Sequence, residues 1–199
     1  MQKPCQSGSS LFVAIDRATR SLLYRVYEAK TAENTEDFMN RCLEYFPFEV
    51  THVLTDNGPE FTNRLIKSKK GKLCQKPSHL DEVCKTNHIE HRLTRPNTPK
   101  TNGMVERANG TIKKGAILKD NYVNKEEMND ALMAFLVYYM LYRRHGGVRK
   151  ELNVKTPFQA VEKWFMLKSE IFKQNPSEFK NKPLHLKSIE NSSVSQTTM

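Results

Sequence analysis

No stretch of this 199-residue chain approaches the roughly 20 consecutive apolar residues that a membrane-spanning helix requires. The first ten residues, Met-Gln-Lys-Pro-Cys-Gln-Ser-Gly-Ser-Ser, lack the apolar centre of a secretory leader and contain no Asp or Glu. The four cysteines, Cys5, Cys42, Cys74 and Cys84, follow no ordered spacing, so reduced thiols are expected rather than a disulfide framework. No internal repeat is visible. Acid is the scarcer charge: 22 Asp+Glu stand against 32 Lys+Arg, a formal net charge of +10. The excess favours a polyanionic partner, because each neutralised phosphate releases condensed counterions. Ribosomal and membrane-surface proteins share such a balance, so charge alone does not choose. The length suits one domain with a real core and hardly two large ones. A cytosolic protein without a membrane segment is expected.

Along the chain, the apolar run 11–15 reads as a buried strand, 16–20 as a hairpin turn and 21–27 as a second strand. Thr31 caps a helix that sets Phe38, Met39, Cys42, Tyr45 and Phe46 on one face, and Pro47 ends it. Residues 50–54 predict a short buried strand stopping at Asp56. Segment 64–76 carries six basic residues and no acidic one, and reads as an exposed loop. Ser78 caps a short helix through Cys84, and 89–93 is a further strand. A Pro/Thr/Asn/Gly loop over 94–103 leads to a helix running past Lys113. Asn124 and Glu127 cap a long helix with Met128, Ala131, Leu132, Phe135, Leu136, Tyr139 and Tyr142 on one face. Thr156-Pro157 starts another helix. Residues 174–199 read as a loose polar tail.

Two carboxylates stand out. Asp56 lies where an apolar strand gives way to Asn57-Gly58, a place where ligands collect in open α/β sheets; the same residues also make ordinary turns. Glu106 falls on the first turn of a helix, where the dipole favours a carboxylate and where a surface Glu commonly does no more than stabilise. Carboxylates delivered from separate elements can share divalent cations, and paired cations serve phosphoryl transfer. Lys113 is seven residues beyond Glu106 and so on the same face, a cation placed for a phosphate.

The blocks Leu54-Thr55-Asp56-Asn57-Gly58-Pro59-Glu60-Phe61-Thr62 and Pro96-Asn97-Thr98-Pro99-Lys100-Thr101-Asn102-Gly103-Met104-Val105-Glu106-Arg107 resemble the catalytic region of retroviral-type integrases and insertion-sequence transposases. Phe12 to Arg20 is similar to their second strand and turn; Tyr139 to Gly146 and Thr156 to Ala160 are similar to their post-catalytic segment. The resemblance implies an α/β, RNase-H-like mixed sheet with flanking helices over 11–123, a helical post-core segment over 124–173 and an irregular start over 1–10. It implies DNA strand transfer with two Mg²⁺ or Mn²⁺ ions, DNA ends and target as partners, a homo-oligomer, and the bacterial cytosol at the nucleoid. Asp56 and Glu106 match the second and third metal carboxylates, and Lys100, Asn102, Arg107, Asn109, Lys113 and Lys114 are the expected DNA contacts.

The chain also departs from the pattern. The family's first catalytic Asp belongs to a central strand preceding Phe12, and nothing in 1–10 supplies it. The expectation is therefore an inactive fragment lacking that strand, with Asp16 as a remote substitute ligand. Gly110 stands where retroviral integrases place a DNA-contacting Lys, and the surplus length between Asp56 and Glu106 is the basic loop. A non-catalytic DNA-binding relative and a basic RNA-associated protein are the alternatives. Cys74, Cys84, His88 and His91 match no usual zinc spacing, and read as structural. Tyr139, Tyr142 and Trp164 read as core, or as stacking surfaces for bases.

Overall fold

The computed structural model describes residues 9–67, 71–95, 103–118 and 122–180. Strands β1 (Ser10–Ile15) and β2 (Leu22–Tyr27) form the expected antiparallel hairpin, with Ile15 opposite Leu22. Asp16 holds its turn: Oδ2 accepts the Thr19 N–H at 2.7 Å and the Thr19 hydroxyl at 2.6 Å. β2 is covered on both sides at its start, where Leu22 is fully buried and Leu23 and Tyr24 nearly so. The Tyr24 hydroxyl donates to the Leu132 carbonyl across the core.

Helix α1 (Ala32–Tyr45) starts at Thr31, whose hydroxyl accepts the Asn34 N–H at 3.2 Å. It joins two cores. Phe38, Cys42 and Tyr45 pack with Phe12 and Leu22, whereas Met39 packs with Leu80, Val83, Cys84 and Ile89. Leu80, Val83 and Cys84 belong to α2 (His79–Thr86), which opens with a capping box between Ser78 and Asp81.

Strand β3 (His52–Thr55) runs parallel to β4 (Glu90–Leu93). The hairpin and this parallel pair remain two separate two-stranded sheets. Among the described residues, β1 has no partner on the side away from β2, nor β3 on the side away from β4. The sequence predicts a buried strand over 50–54, yet β3 begins at His52 and leaves Leu54 49% exposed. Parallel strands are normally shielded on both faces. Here one neighbour is absent among the described residues, and the strand's apolar side chains are only partly covered.

Helix α3 (Gly103–Ile112) packs against β1. It continues as a single π turn, Lys113–Ile117, rather than as the regular helix that the sequence predicts. Within it, at Gly115, a Cβ would overlap the Phe135 ring of α4 (Lys125–Leu141), so glycine lets the two segments approach closely. Asn124 caps α4 through the Glu127 N–H at 2.8 Å, and Met128, Leu132, Leu136 and Tyr139 are buried as expected. Tyr142 is not. The helix ends at Leu141, the backbone leaves helical phase, and Tyr142 is 69% exposed. Helices α5 (Gly146–Leu152) and α6 (Pro157–Leu167) follow, with Thr156 capping α6.

The tail expected from 174 begins with an ordered turn, α7 (Pro176–Phe179), and residues 181–199 lie outside the described residues. Phe179 is 1% exposed, with its ring 5.1 Å from that of Tyr45. One turn with a single aromatic is too short for periodicity to reveal. Phe179→Ala should cost about 3–5 kcal/mol in urea unfolding; a loss below about 1 kcal/mol, the ordinary range of surface changes, would place that ring outside the core.

Candidate functional site

Asp56 projects from the end of β3, exposed to solvent, and its Oδ1 accepts the Gly58 N–H at 3.0 Å. Among the described residues it makes no ion pair. The strand end that presents it is held firmly. Thr94 N–H donates to the Thr55 carbonyl at 2.9 Å, and the Asn57 amide donates to the Thr94 carbonyl at 3.3 Å.

The Thr55 side chain is held from below by His91, whose imidazole is 2% exposed. His91 Nε2 lies 2.9 Å from Thr55 Oγ1, and Nδ1 lies 2.8 Å from Asp81 Oδ1. An ionised carboxylate only accepts, so Nδ1 carries a proton and donates to Asp81, while Nε2 shares the second hydrogen bond with the Thr55 hydroxyl. Burial pushes the Asp81 carboxyl up, but hydrogen bonds from His91, Ser78 and Arg64 outweigh it and hold the group at about 2. Arg64 pairs with Asp81 and also donates to the His91 carbonyl at 3.2 Å. Side chains alternate along a strand, so tying Thr55 toward His91 turns Asp56 to the opposite face. Sequence reasoning missed this chain of contacts. Its one legible signal was the Ser78–Asp81 capping spacing.

Glu106 sits on the first turn of α3, exposed, with Arg107 beside it and Ala108 turned into the core. Lys113 and Lys114 are exposed and Asn109 is half-buried. Lys100 and Asn102 lie outside the described residues. Of the loop 64–76, Arg64 is anchored as described and Lys67 bridges to Leu73, so the described part folds back on itself rather than straying.

Carboxylate oxygens are the hard donors that Mg²⁺ and Mn²⁺ prefer, and Asp56 and Glu106 fit in kind. They fall short in number. Among the described residues no three His, Cys, Asp or Glu side chains gather closely enough to hold a metal ion. Asp16 is occupied by Thr19, and Glu60 turns toward Lys30 at 3.8 Å. The cysteine–histidine group does not assemble either. Burial raises the Cys84 thiol to about 11, His91 uses both ring nitrogens, and His88 is exposed. Of the aromatics, Tyr139 is core, Trp164 is half-buried and Tyr142 is exposed.

Two models of the integrase core domain match the chain, one over residues 3–99 and the other over 87–157. A putative integrase of a Spiroplasma virus is 26% identical over 158 residues, which cover 77% of this chain and 42% of the viral protein. An uncharacterized Caenorhabditis elegans protein is 24% identical over 65% of this chain and 9% of its own length. The chain thus spans less than half of either relative. Among solved structures, the simian T-cell lymphotropic virus intasome is similar with a TM-score of 0.61 at 20% identity, over 80% of this chain and 50% of the other. The catalytic core of BIV integrase gives 0.58 at 20% identity, over 80% and 90%. The magnesium complex of the HTLV-2 integrase core gives 0.54 at 22% identity, over 75% and 82%. The fold is therefore the α/β, RNase-H-like fold of integrase catalytic cores. No helix among the described residues is long and apolar enough to cross a membrane.

Proposed function

The chain belongs to the integrase core family, and from that premise we propose that it is the catalytic core of an insertion-sequence transposase, directed to metal-dependent DNA strand transfer. The observation that carries the reading is the placement of Asp56 at a pinned strand end and Glu106 on the first turn of α3. These two carboxylates would hold Mg²⁺ or Mn²⁺. When bound, such ions neutralise charge on the transferring phosphate and activate the attacking oxygen. The protein's own part is to orient and grip. Arg107, Lys113 and Lys114, with Asn109, Lys100 and Asn102, hold backbone phosphates beside Glu106. A two-carboxylate set leaves the second ion poorly held, so the chain by itself binds DNA and does not join it. A homo-oligomer acting on transposon ends and target, in a bacterial cytosol, completes the proposal.

Paramagnetic broadening by Mn²⁺ tests the shared site. The amide signals of Gly58 and Val105 should broaden together, and Asp56→Asn or Glu106→Gln should relieve both at once. If each variant relieves only the signal next to it, the carboxylates bind ions separately and the shared site fails.

A further inference from the structure

Arg143 is the charged group that this reading leaves unexplained. It follows α4, half-buried, with its guanidinium over the Tyr139 ring at 5.8 Å. Among the described residues no carboxylate pairs with it, and its Nε is shielded from solvent without a hydrogen-bond partner. His145 sits edge-on to the same Tyr139 ring at 4.6 Å, and its Nε2 is likewise shielded and unpartnered. A second guanidinium closes the group. Arg20 packs on Gly147, where a Cβ would stand 3.1 Å from its Nε and Nη2, a tight fit that a side chain there would have to press aside. Arg20 Nη2 donates to Glu151 at 3.1 Å, and Nη1 lies 3.8 Å from Met104 Sδ, two residues before Glu106.

One carboxylate thus answers two guanidiniums. A partly buried cation without a counter-charge is costly, and orphaned buried polar atoms call for an absent partner. Burial first, and then the charges of Arg143 and Arg20, push the His145 imidazole down to about 4. Water brings no charge to answer the guanidiniums. An anion supplies the missing counter-charge, and a guanidinium fork suits the paired oxygens of a phosphate.

We propose that Arg143, Arg20 and His145 form a receptor for one backbone phosphate of nucleic acid, adjoining the first turn of α3. It rests on the DNA reading above and extends the DNA-facing surface from α3 to the junction of α4 and α5, where no phosphate contact was expected. Arg143 offers the donors of its fork beside the Tyr139 ring, the shielded nitrogens lie beneath, and Arg20, held by Glu151 and Met104, adds positive charge.

The test measures affinity of the 199-residue chain for a short duplex against salt, with the Arg143 Nε and His145 ring signals followed by NMR. Arg143→Gln should lower the slope of log affinity against log salt by about one, the contribution of one phosphate contact. Arg143→Lys should keep the slope and weaken binding, because the charge remains and the fork is lost. Duplex should shift both NMR signals. If Arg143→Gln leaves the slope unchanged while Arg107→Gln lowers it, or the signals stay still at saturation, the receptor is refuted and the DNA reading survives. If the wild-type chain binds no duplex, both fall. If inorganic phosphate moves the signals as far as duplex at equal concentration, the site serves a free anion, and its assignment to the backbone is overturned.

Discussion

The purified chain should lose duplex affinity by about 10³- to 10⁵-fold between roughly 50 and 200 mM salt, the range for six to ten phosphate contacts. The count comes from identified residues. Arg107, Lys113 and Lys114 are exposed along one helix and its π turn. The six basic residues of 64–76 have no acid among them in sequence, although Arg64 is paired to Asp81 and contributes less. Lys113 and Lys114 lie outside the ion pairs that the described residues form, so contact with phosphate costs them no existing partner. The readout is the slope of log affinity against log salt. A slope near zero would mean that phosphates are not what the protein grips. A marked preference for duplex RNA over DNA of the same length would favour the RNA-associated alternative.

Much of this fold was legible because local chemistry and burial agree. The hairpin announced itself through an apolar run, a turn and a β-rich segment, and Asp16 and Thr19 close that turn as local hydrogen-bonding residues do. Thr31, Ser78, Asn124 and Thr156 each precede a helix that they cap. What escaped reading depends on contacts distant in sequence. The close packing at the π turn brings Gly115 against Phe135, twenty residues further along the chain. Tyr142 continues the apolar spacing of α4, yet the helix stops one residue earlier. Phe179 is ordered by Tyr45, on the other side of the molecule's chain order. At the site, Asp56 and Glu106 were readable as motif residues with local roles. The His91–Asp81–Arg64 support under Thr55 was not, since its members lie on four segments and none is unusual alone. Arg143 and His145 sat within a recognisable segment, but only packing revealed that their nitrogens lack partners.

The 199-residue chain should be silent in strand transfer, and the loss should be large. Among the described residues β1 and β3 both present unpaired edges, and the sheet that would bring Asp56 toward a further carboxylate is split in two. Asp16 cannot substitute without releasing Thr19 and opening its turn. An N-terminal extension forming an apolar strand could pair with β1 on one side and β3 on the other, covering the strand that now leaves Leu54 exposed. If that strand carries an Asp, the ion site gains its third oxygen donor. Removing one member of a catalytic set commonly costs on the order of 10⁴-fold or more in rate, and the extended protein should recover a comparable factor. Asp56→Asn or Glu106→Gln in the extended protein should abolish the gain, while leaving DNA binding in place.

The decisive measurement is joining of a pre-cut DNA end with Mn²⁺, by the 199-residue chain and by the extended protein side by side. No product from the former and Asp56- and Glu106-dependent product from the latter is the predicted result. Robust joining by the 199-residue chain would contradict it, and would show that the described carboxylates suffice without a third.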